Sequence, residues 1–392
     1  MENQGLFTRG LMNTRRDQLF ANRTSAKAPI RHLDLTLLFA VMAIGAFGAV
    51  FIKSASRHRL AALGFDENLL LKRHLIFLSI GVVIFIGMML FDYRQLRALA
   101  PVTYGVGVIL LLAVLSPLGE RVAGAQRWIN LGPLQFQPSE IMKAFLLVAL
   151  AAWYADERTD PGVMKLAGAA GMTFFPAFLV YVQPDLGTVM VMLAVLFGVL
   201  LISGTRVRWL VVLLLAGVLF FIAALQLGVL KDYQVARLTA FLDTHSDVQR
   251  AGYNLAQSKI AIGSGGWDGK GIGEGSQTNL DYVPAQHTDF IFTAIGEETG
   301  FVGAVTLIGL FAFLIWRSLR VAMLSKDLFG TLLAGAVATM LIFQIFVNIG
   351  MTIGIMPITG IPLPFVSYGG TALITNFIAI GLLMNVHMRR FV

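Results

Sequence analysis

Long apolar runs separated by short polar connections dominate the pattern of this 392-residue chain. A transmembrane helix needs about 20 mostly apolar residues to cross the hydrocarbon core of a bilayer. We therefore predict an all-α integral membrane protein with about ten spans; the fourth run is the weakest, and without it the count is nine. The predicted spans lie at about residues 34–53, 74–92, 98–117, 140–155, 164–182, 186–204, 207–229, 288–316, 329–350 and 366–387.

Three segments lack a helical pattern. The loops at 118–139 and 230–287 are predicted to lie on the outside, extracytoplasmic, side of the membrane, and a connection as long as the second is more often functional than idle. The segment 351–365 carries no charge but contains three prolines. Irregular backbone at membrane depth persists only where it is buried in protein or lines a watery cavity, so we expect one of these two surroundings here.

Composition agrees with this membrane assignment. Only 13% of the residues are charged and 57% are hydrophobic, whereas a soluble domain has about 25% charged residues. Cysteine is absent, which excludes disulfides and thiolate sites. The net charge of +8 could indicate a nucleic-acid partner, but basic residues in a membrane chain usually set topology. We therefore predict membrane insertion and no nucleic acid.

The distribution of Lys and Arg predicts that both termini are cytoplasmic, because basic residues then concentrate in the inside segments. This gives a basic cytoplasmic tail at 1–33, a single membrane domain at 34–388 with its extracytoplasmic loop at 230–287, and a cytoplasmic C-terminus at 389–392. One place departs from the rule. The first outside loop is more basic than expected, with Lys53, Arg57, Arg59, Lys72 and Arg73.

Charged residues inside spans are costly and usually functional. Glu140 and Lys143 are three residues apart in the fourth span, so they share a helix face and can pair. They are either a buried structural ion pair or part of an active site. Asp185 opens the sixth span, where a carboxylate suits the helix N-terminus. It could either cap this helix or take part directly in the chemistry.

Asp289 is the strongest candidate for chemistry, because it lies where the long polar loop enters an apolar helix. Partial desolvation there would raise the pKa of its carboxyl group and suit it to general-base work. The alternative is a structural residue at a helix N-terminus. The nearby His287 is a candidate proton shuttle or metal ligand. At least one of Glu297 and Glu298 is expected to face protein or water as a structural hydrogen-bond partner.

Two outside loops offer candidate phosphate contacts. The glycine-rich segment 263–271 contains Lys270 but lacks Walker A spacing, which favours a flexible lid or a diphosphate contact over a nucleotide site. Arg127 and Trp128 form either a phosphate-binding cation beside an aromatic ring or a snorkelling Arg with a membrane-belt Trp.

Together these motifs resemble the SEDS family (shape, elongation, division and sporulation), which includes RodA, FtsW and a sporulation relative. The resemblance covers roughly residues 30–390. It rests on Arg127–Ile129, Gln137–Glu140 with Lys143, Gln183–Thr188, Tyr253, Gln257–Ser258, Ile260–Gly266, Gly269–Gly271, His287–Phe292, Gly296–Glu298 and Pro362–Gly370.

Within the family the chain is more similar to RodA. The stretch Trp128–Gly132 follows the RodA pattern, and Thr359 stands where many FtsW proteins have Lys. One departure is Ala285, at a position where the family usually has an acidic residue. The resemblance implies a peptidoglycan glycosyltransferase of the bacterial cytoplasmic (inner) membrane that polymerises lipid II during elongation. It also implies a class B penicillin-binding protein and elongation-complex membrane proteins as partners.

The implied reaction converts an α-linked donor into a β-linked polymer and expels polyprenyl diphosphate, so it is an inverting single displacement. Our hypothesis is that Asp289 is the general base. A divalent cation, Mg²⁺ or Mn²⁺, is an alternative source of positive charge, although the sequence shows no dedicated ligand cluster. The candidate substrate or diphosphate contacts are Arg127, Trp128, Glu140, Lys143, Lys270, His287 and Ser367.

Two other functions remain open from the sequence. One is an FtsW-like division polymerase, which shares the chemistry. The other is a lipid II flippase or transporter, which ten spans with buried charges would also suit.

Overall fold

A computed structural model describes residues 32–122, 125–132, 134–156, 162–228, 235 and 251–390. The predicted tail and much of the long outside loop lie outside these residues. The described chain is largely helical, with α1 at Leu35–Ala62, α2 at Leu69–Leu90, α3 at Tyr93–Leu115, α4 at Pro138–Tyr154, α5 at Val163–Val182, α6 at Leu186–Ile202, α7 at Val207–Gln226, α8 at Ala251–Ser264, α9 at Ser276–Asn279, α10 at Ile291–Met323, α11 at Leu328–Ile353 and α12 at Gly370–Arg389.

Each of the ten predicted spans corresponds to one of the long helices. Seven of these are long and apolar enough to cross a membrane. The other three are shorter. Helices α4 and α6 have 17 residues each, and the apolar stretch of α7 that is described in full covers Val207–Leu219. Several helices also extend beyond the predicted ends; α1, for example, continues to Ala62 through the basic residues of the first outside loop.

The burial pattern separates central helices from peripheral ones. Nearly all of α4 is buried, as are α12 and most of α11, whereas α2 and α3 bury only a narrow face. The exposed faces are strongly apolar, which a bilayer tolerates and water does not. Examples on α2 and α7 are Leu75, Ile76, Val83, Ile86, Val211, Leu214, Leu215 and Leu219. The protein is therefore a multi-pass membrane protein.

The predicted non-helical loop at 118–139 forms a small antiparallel sheet. Its strands are β1 at Gly119–Val122, β2 at Ala125–Leu131 and β3 at Leu134–Phe136, in the order β1-β2-β3. Ile129 pairs with Gly119 on one side and with Phe136 on the other. The sheet ends two residues before α4, so it fixes the entry of that central helix.

The proline-containing segment between α11 and α12, residues 354–369, is irregular and largely buried in protein, as expected. Neighbouring helices approach its backbone closely at glycines. A Cβ atom on Gly48 of α1 would lie 2.6 Å from the Phe365 carbonyl oxygen, and one on Gly187 of α6 would lie 2.9 Å from that of Thr359. Small residues permit such contacts in membranes, where helix association depends on close packing. This segment is called the proline segment below.

Candidate active site

Asp289 lies in a turn immediately before α10, at the end of the long outside loop. The carbonyl oxygen of Ala285 accepts hydrogen bonds from the backbone N–H groups of Thr288, Asp289 and Phe290, and Ala285 itself has a positive φ of 55°. The amide of Asn348 on α11 donates to the Asp289 carbonyl oxygen at 2.9 Å. The residue is half-buried. The backbone that carries this carboxylate is therefore held from two directions.

The proline segment supports the same turn from behind. Ser367 donates its hydroxyl to the Thr288 carbonyl oxygen at 2.5 Å and accepts from the Leu363 N–H at 2.8 Å. The Tyr368 N–H donates to the His287 carbonyl oxygen at 2.9 Å. Ser367 thus uses both of its hydrogen-bonding functions to join the proline segment to the Asp289 turn, which indicates a positioning role.

His287 lies beside Asp289 in sequence, and its ring centroid is 6.0 Å from that of Tyr368. Burial and the positive charge of Arg59 lower the pKa of His287, and the charge of Asp281 opposes them. The ring is therefore mainly neutral at pH 7, a state that can accept a proton.

A second polar group connects the proline segment to α4. Thr371, in the first turn of α12, accepts from the Gln137 N–H at 3.1 Å and donates to the Gln135 carbonyl oxygen at 3.3 Å. Gln137 immediately precedes α4 and donates its side-chain amide to Asp185 at 3.0 Å. The residues from 361 to 371 therefore link the Asp289 turn to the start of α4.

Asp185 is the N-cap of α6. One carboxylate oxygen accepts from the Thr188 N–H at 3.2 Å, and the other accepts from the Thr188 hydroxyl at 3.0 Å. The capping alternative for Asp185 is thus confirmed by geometry. Asp185 also accepts from Gln137, so it joins two helix beginnings.

Arg127 on β2 contacts the end of α5. Its Nε donates to the Gln183 carbonyl oxygen at 3.0 Å, another guanidinium nitrogen donates to the Pro184 carbonyl oxygen, and the group lies 4.0 Å from the Asp185 carboxylate. A cation here satisfies carbonyl groups that the helix end leaves free. Its neighbour Trp128 is half-buried on the same strand, opposite Glu120.

Glu140 and Lys143 form a buried ion pair inside α4. The Lys143 Nζ lies 2.8 Å from one Glu140 carboxylate oxygen and 2.9 Å from the other. Their side chains are only 2% and 5% exposed for Lys143 and Glu140 respectively. The predicted pairing is therefore present, and the depth of both groups favours a structural contribution.

The glycine-rich loop packs into a break in α10. Gly300 has φ 60° and ψ −159°, which interrupts the helix. The carbonyl groups of Glu297 and Glu298 accept from the Lys270 and Gly271 N–H groups. In return, the Phe301 and Val302 N–H groups donate to Gly266 and Trp267 carbonyl oxygens. The loop therefore supplies hydrogen bonds to the backbone groups that the break releases, as irregular backbone at membrane depth requires.

Two buried carboxylates fasten this loop, as expected for structural hydrogen-bond partners. Glu297 accepts from the Lys270 ammonium group at 2.8 Å and from the Gln277 and Thr278 N–H groups. Glu298 accepts from the Ser54 hydroxyl at 2.5 Å and from the Gly273 N–H at 3.0 Å. Lys270 is thus already ion-paired, and its proposed contact with a diphosphate stays a prediction.

The structure brings Asp289, His287 and Ser367 together, and it connects them through Thr371 to the region of Arg127 and Asp185. Lys143 and Lys270 lie in separate ion pairs.

The sequence alone did not point to Asn348 or Thr371, because a single polar residue within an apolar run gives no sign of its partner. Within the described ranges, no group of three His, Asp or Glu side chains could hold a metal ion.

Comparisons with known proteins identify the family of this chain. A family model for FtsW, RodA and SpoVE, described as a cell cycle protein, matches residues 34–391. The peptidoglycan glycosyltransferase MrdB of Escherichia coli (strain K12) is 40% identical over 362 residues, covering 92% of this chain and 94% of that protein.

Two solved structures are also similar. One, from work on the coordination of polymerisation and crosslinking by a peptidoglycan synthase complex, has a TM-score of 0.78 and 35% identity, covering 91% of this chain and 98% of the other. The rod shape determining protein RodA of Thermus thermophilus has a TM-score of 0.68 and 34% identity, covering 91% and 97%.

Proposed function

The chain belongs to the FtsW/RodA/SpoVE family of cell cycle proteins, and from this membership we propose that Asp289 is the general base of its polymerisation reaction. The protein is a peptidoglycan glycosyltransferase. Its substrate in this proposal is lipid II, a disaccharide carried on a polyprenyl diphosphate. Both lipid-linked substrates can reach a multi-pass membrane enzyme laterally, within the bilayer.

The observation that carries the proposal is the position of Asp289. Its carboxylate belongs to a half-buried residue at the junction of an outside loop and an apolar helix, and Ala285, Asn348 and the proline segment fix its backbone. A general base must be held within hydrogen-bond reach of the proton it removes. A turn anchored to two other elements meets this requirement better than a free loop.

In the proposed step, Asp289 removes the proton of the acceptor 4-hydroxyl as that oxygen attacks the anomeric carbon of the donor. The bond to the diphosphate oxygen breaks with inversion, and the polyprenyl diphosphate leaves with its electron pair. His287, two residues before Asp289 and mainly neutral at pH 7, is our candidate to take the proton onward. Positive groups near the leaving diphosphate would stabilise its developing charge, and Arg127 is a candidate for this role.

The site is proposed to face the outside of the bacterial cytoplasmic membrane, since the loops that build it are those predicted to be extracytoplasmic. We also propose a class B penicillin-binding protein as partner, because a similar structure comes from a peptidoglycan synthase complex in which polymerisation and crosslinking are coordinated. Similarity to MrdB and to a rod shape determining RodA supports a role in elongation, with a division role as the competing assignment.

The test is lipid II polymerisation by purified protein in detergent. For Asp289→Asn we expect activity to fall by about 10²–10⁴-fold, the usual contribution of general-base catalysis. Asp268→Asn is the matched control: Asp268 lies on the same outside loop, is exposed and is not among the groups that shift the pKa of His287. Near-normal glycan synthesis by folded Asp289→Asn protein would remove Asp289 from the base role. Because detergent leaves no membrane to cross, absence of polymerisation by folded wild-type protein would favour a flippase.

A further inference from the structure

The excess of basic residues in the first outside loop leads to a cavity that the proposed catalytic step does not use. Five of its lining residues belong to α1: Ala49, Val50, Lys53, Ser54 and Arg57. Leu71 of α2 completes it, together with Ile272 and Gly273, which directly follow the glycine-rich segment 263–271. Its volume is about 340 Å³, within the range of small-molecule sites. We call it the lateral cavity.

The lateral cavity is amphiphilic. Ala49, Val50, Leu71 and Ile272 provide apolar walls, and Val50 and Ile272 are themselves exposed. Lys53 and Arg57 add two positive charges four residues apart, on one face of α1. The apolar residues 49 and 50 lie one turn below Lys53, on the membrane side. This order of groups matches a molecule with a hydrocarbon chain below and an anionic headgroup above.

The depth of the cations fits the same interpretation. Lys53 lies 18 residues after Leu35, the first residue of α1, which corresponds to about 27 Å of rise along an α-helix. The hydrocarbon core is about 30 Å thick. If α1 begins near the inner boundary, Lys53 lies near the outer boundary and Arg57 one turn beyond it. The phosphate groups of outer-leaflet lipids lie at this level.

The two cations differ in how the protein already uses them. Arg57 donates to the Gly273 carbonyl oxygen, while the Gly273 N–H donates to buried Glu298. Arg57 therefore helps to form the cavity wall. Lys53 is exposed, and in the described part of the chain no hydrogen bond or ion pair joins its side-chain ammonium group to another residue. Nearby Arg59 and Lys72, by contrast, pair with Asp281 and Asp66.

We propose that the lateral cavity binds the phosphate-bearing headgroup of an outer-leaflet lipid, with Lys53 as the principal cation. The shared chemistry is a phosphate or diphosphate ester on a hydrocarbon chain. Polyprenyl diphosphate carriers and anionic phospholipids both have it, and the choice of the carrier lipid rests on the proposed function. This site explains why the outside loop keeps basic residues against the positive-inside tendency.

The experiment measures lipid binding to the full-length purified protein by native mass spectrometry. The probes are undecaprenyl diphosphate, phosphatidylglycerol and, as an uncharged reference, undecaprenol. A basic residue near a membrane surface contributes about 1 kcal/mol toward an anionic lipid, or about fivefold in affinity. Reversing the charge should have about twice that effect in free energy, so Lys53→Glu should weaken undecaprenyl diphosphate binding by about 25-fold.

Two variants serve as controls. Lys53→Arg keeps the charge and should retain binding. Lys72→Glu changes the same charge on the exterior of α2, next to Leu71 but outside the lateral cavity, and should also bind normally. Undecaprenol binding should not respond to Lys53→Glu.

Each outcome is decisive. Loss of undecaprenyl diphosphate binding alone identifies the carrier lipid, loss of binding of both anionic probes identifies a general anionic-lipid site, and loss of phosphatidylglycerol binding alone identifies a phospholipid site and excludes the carrier lipid. Equal affinities of wild type and Lys53→Glu for both anionic probes would overturn the proposal. Asp289→Asn should leave binding intact, so a failure of the base assignment and a failure of the lipid site can be distinguished.

Discussion

The buried pair of Glu140 and Lys143 offers a way to separate scaffold from chemistry. Removing one partner leaves the other charge buried without its counter-ion, and such changes cost about 3–5 kcal/mol. Lys143→Ala should therefore lower stability strongly. Replacing both charges, in Glu140→Gln with Lys143→Met, removes the desolvation cost of both ions and should recover most of that loss.

The geometry gives the scale of the interaction. At a separation of 2.8 Å and an effective dielectric constant of about 20, the attraction is about 6 kcal/mol before desolvation is subtracted. Side-chain exposures of 2% and 5% mean that water screens this attraction poorly. The net contribution is smaller than the gross attraction, because both ions lost their hydration on folding.

The assay compares thermal unfolding in detergent with lipid II polymerisation for wild type, Lys143→Ala and the double variant Glu140→Gln with Lys143→Met. We expect Lys143→Ala to unfold several degrees lower and the double variant to approach wild type. If activity returns with stability, the pair is a scaffold. If the stable double variant stays inactive, Lys143 or Glu140 takes part in the reaction. A Lys143→Ala protein as stable as wild type would refute the electrostatic reasoning.

Two further predictions concern the loop and its surroundings. Gly300→Ala should greatly reduce the yield of folded protein, because φ 60° with ψ −159° is accessible essentially only to glycine and a Cβ would lie 2.4 Å from the Gly269 nitrogen. The control is Gly309→Ala on the same helix, where a Cβ meets no atom within 4 Å and the protein should fold normally. Equal yields of the two variants by size-exclusion chromatography would contradict the prediction. Burial and Arg59 lower the pKa of His287 in the folded protein, so the unfolded chain binds the proton more readily. The contribution of neutral His287 to the stability of the folded protein is therefore fully present above about pH 6.5 and should decline as the pH falls below that value. His287→Asn should reduce the loss of thermal stability between pH 7.5 and 5.5, and an unchanged loss would show that other groups cause it.

Hydropathy alone predicted a helix at each of the ten apolar runs, and the described residues form a helix at every one of them, because a run of about 20 apolar residues has few solutions in a bilayer other than a helix. Local spacing was equally informative. Glu140 and Lys143 pair because three residues bring side chains onto one helix face, and Asp185 caps α6 because its carboxylate reaches an N–H three residues later. The sequence also predicted the position of Asp289 at the start of a helix, because the polar loop changes to an apolar run at this residue.

Tertiary structure decided which of these residues meet. Arg127 contacts carbonyl groups 56 and 57 residues away. Ser367 of the proline segment contacts the Asp289 turn, and Thr371 in the first turn of α12 contacts the residue that precedes α4. The glycine-rich loop showed the composition of a phosphate cradle, yet its backbone fills the break at Gly300. Hydropathy reports the surroundings of each helix separately, but the neighbours of a side chain depend on how all the helices pack, and no local pattern in the chain encodes that arrangement.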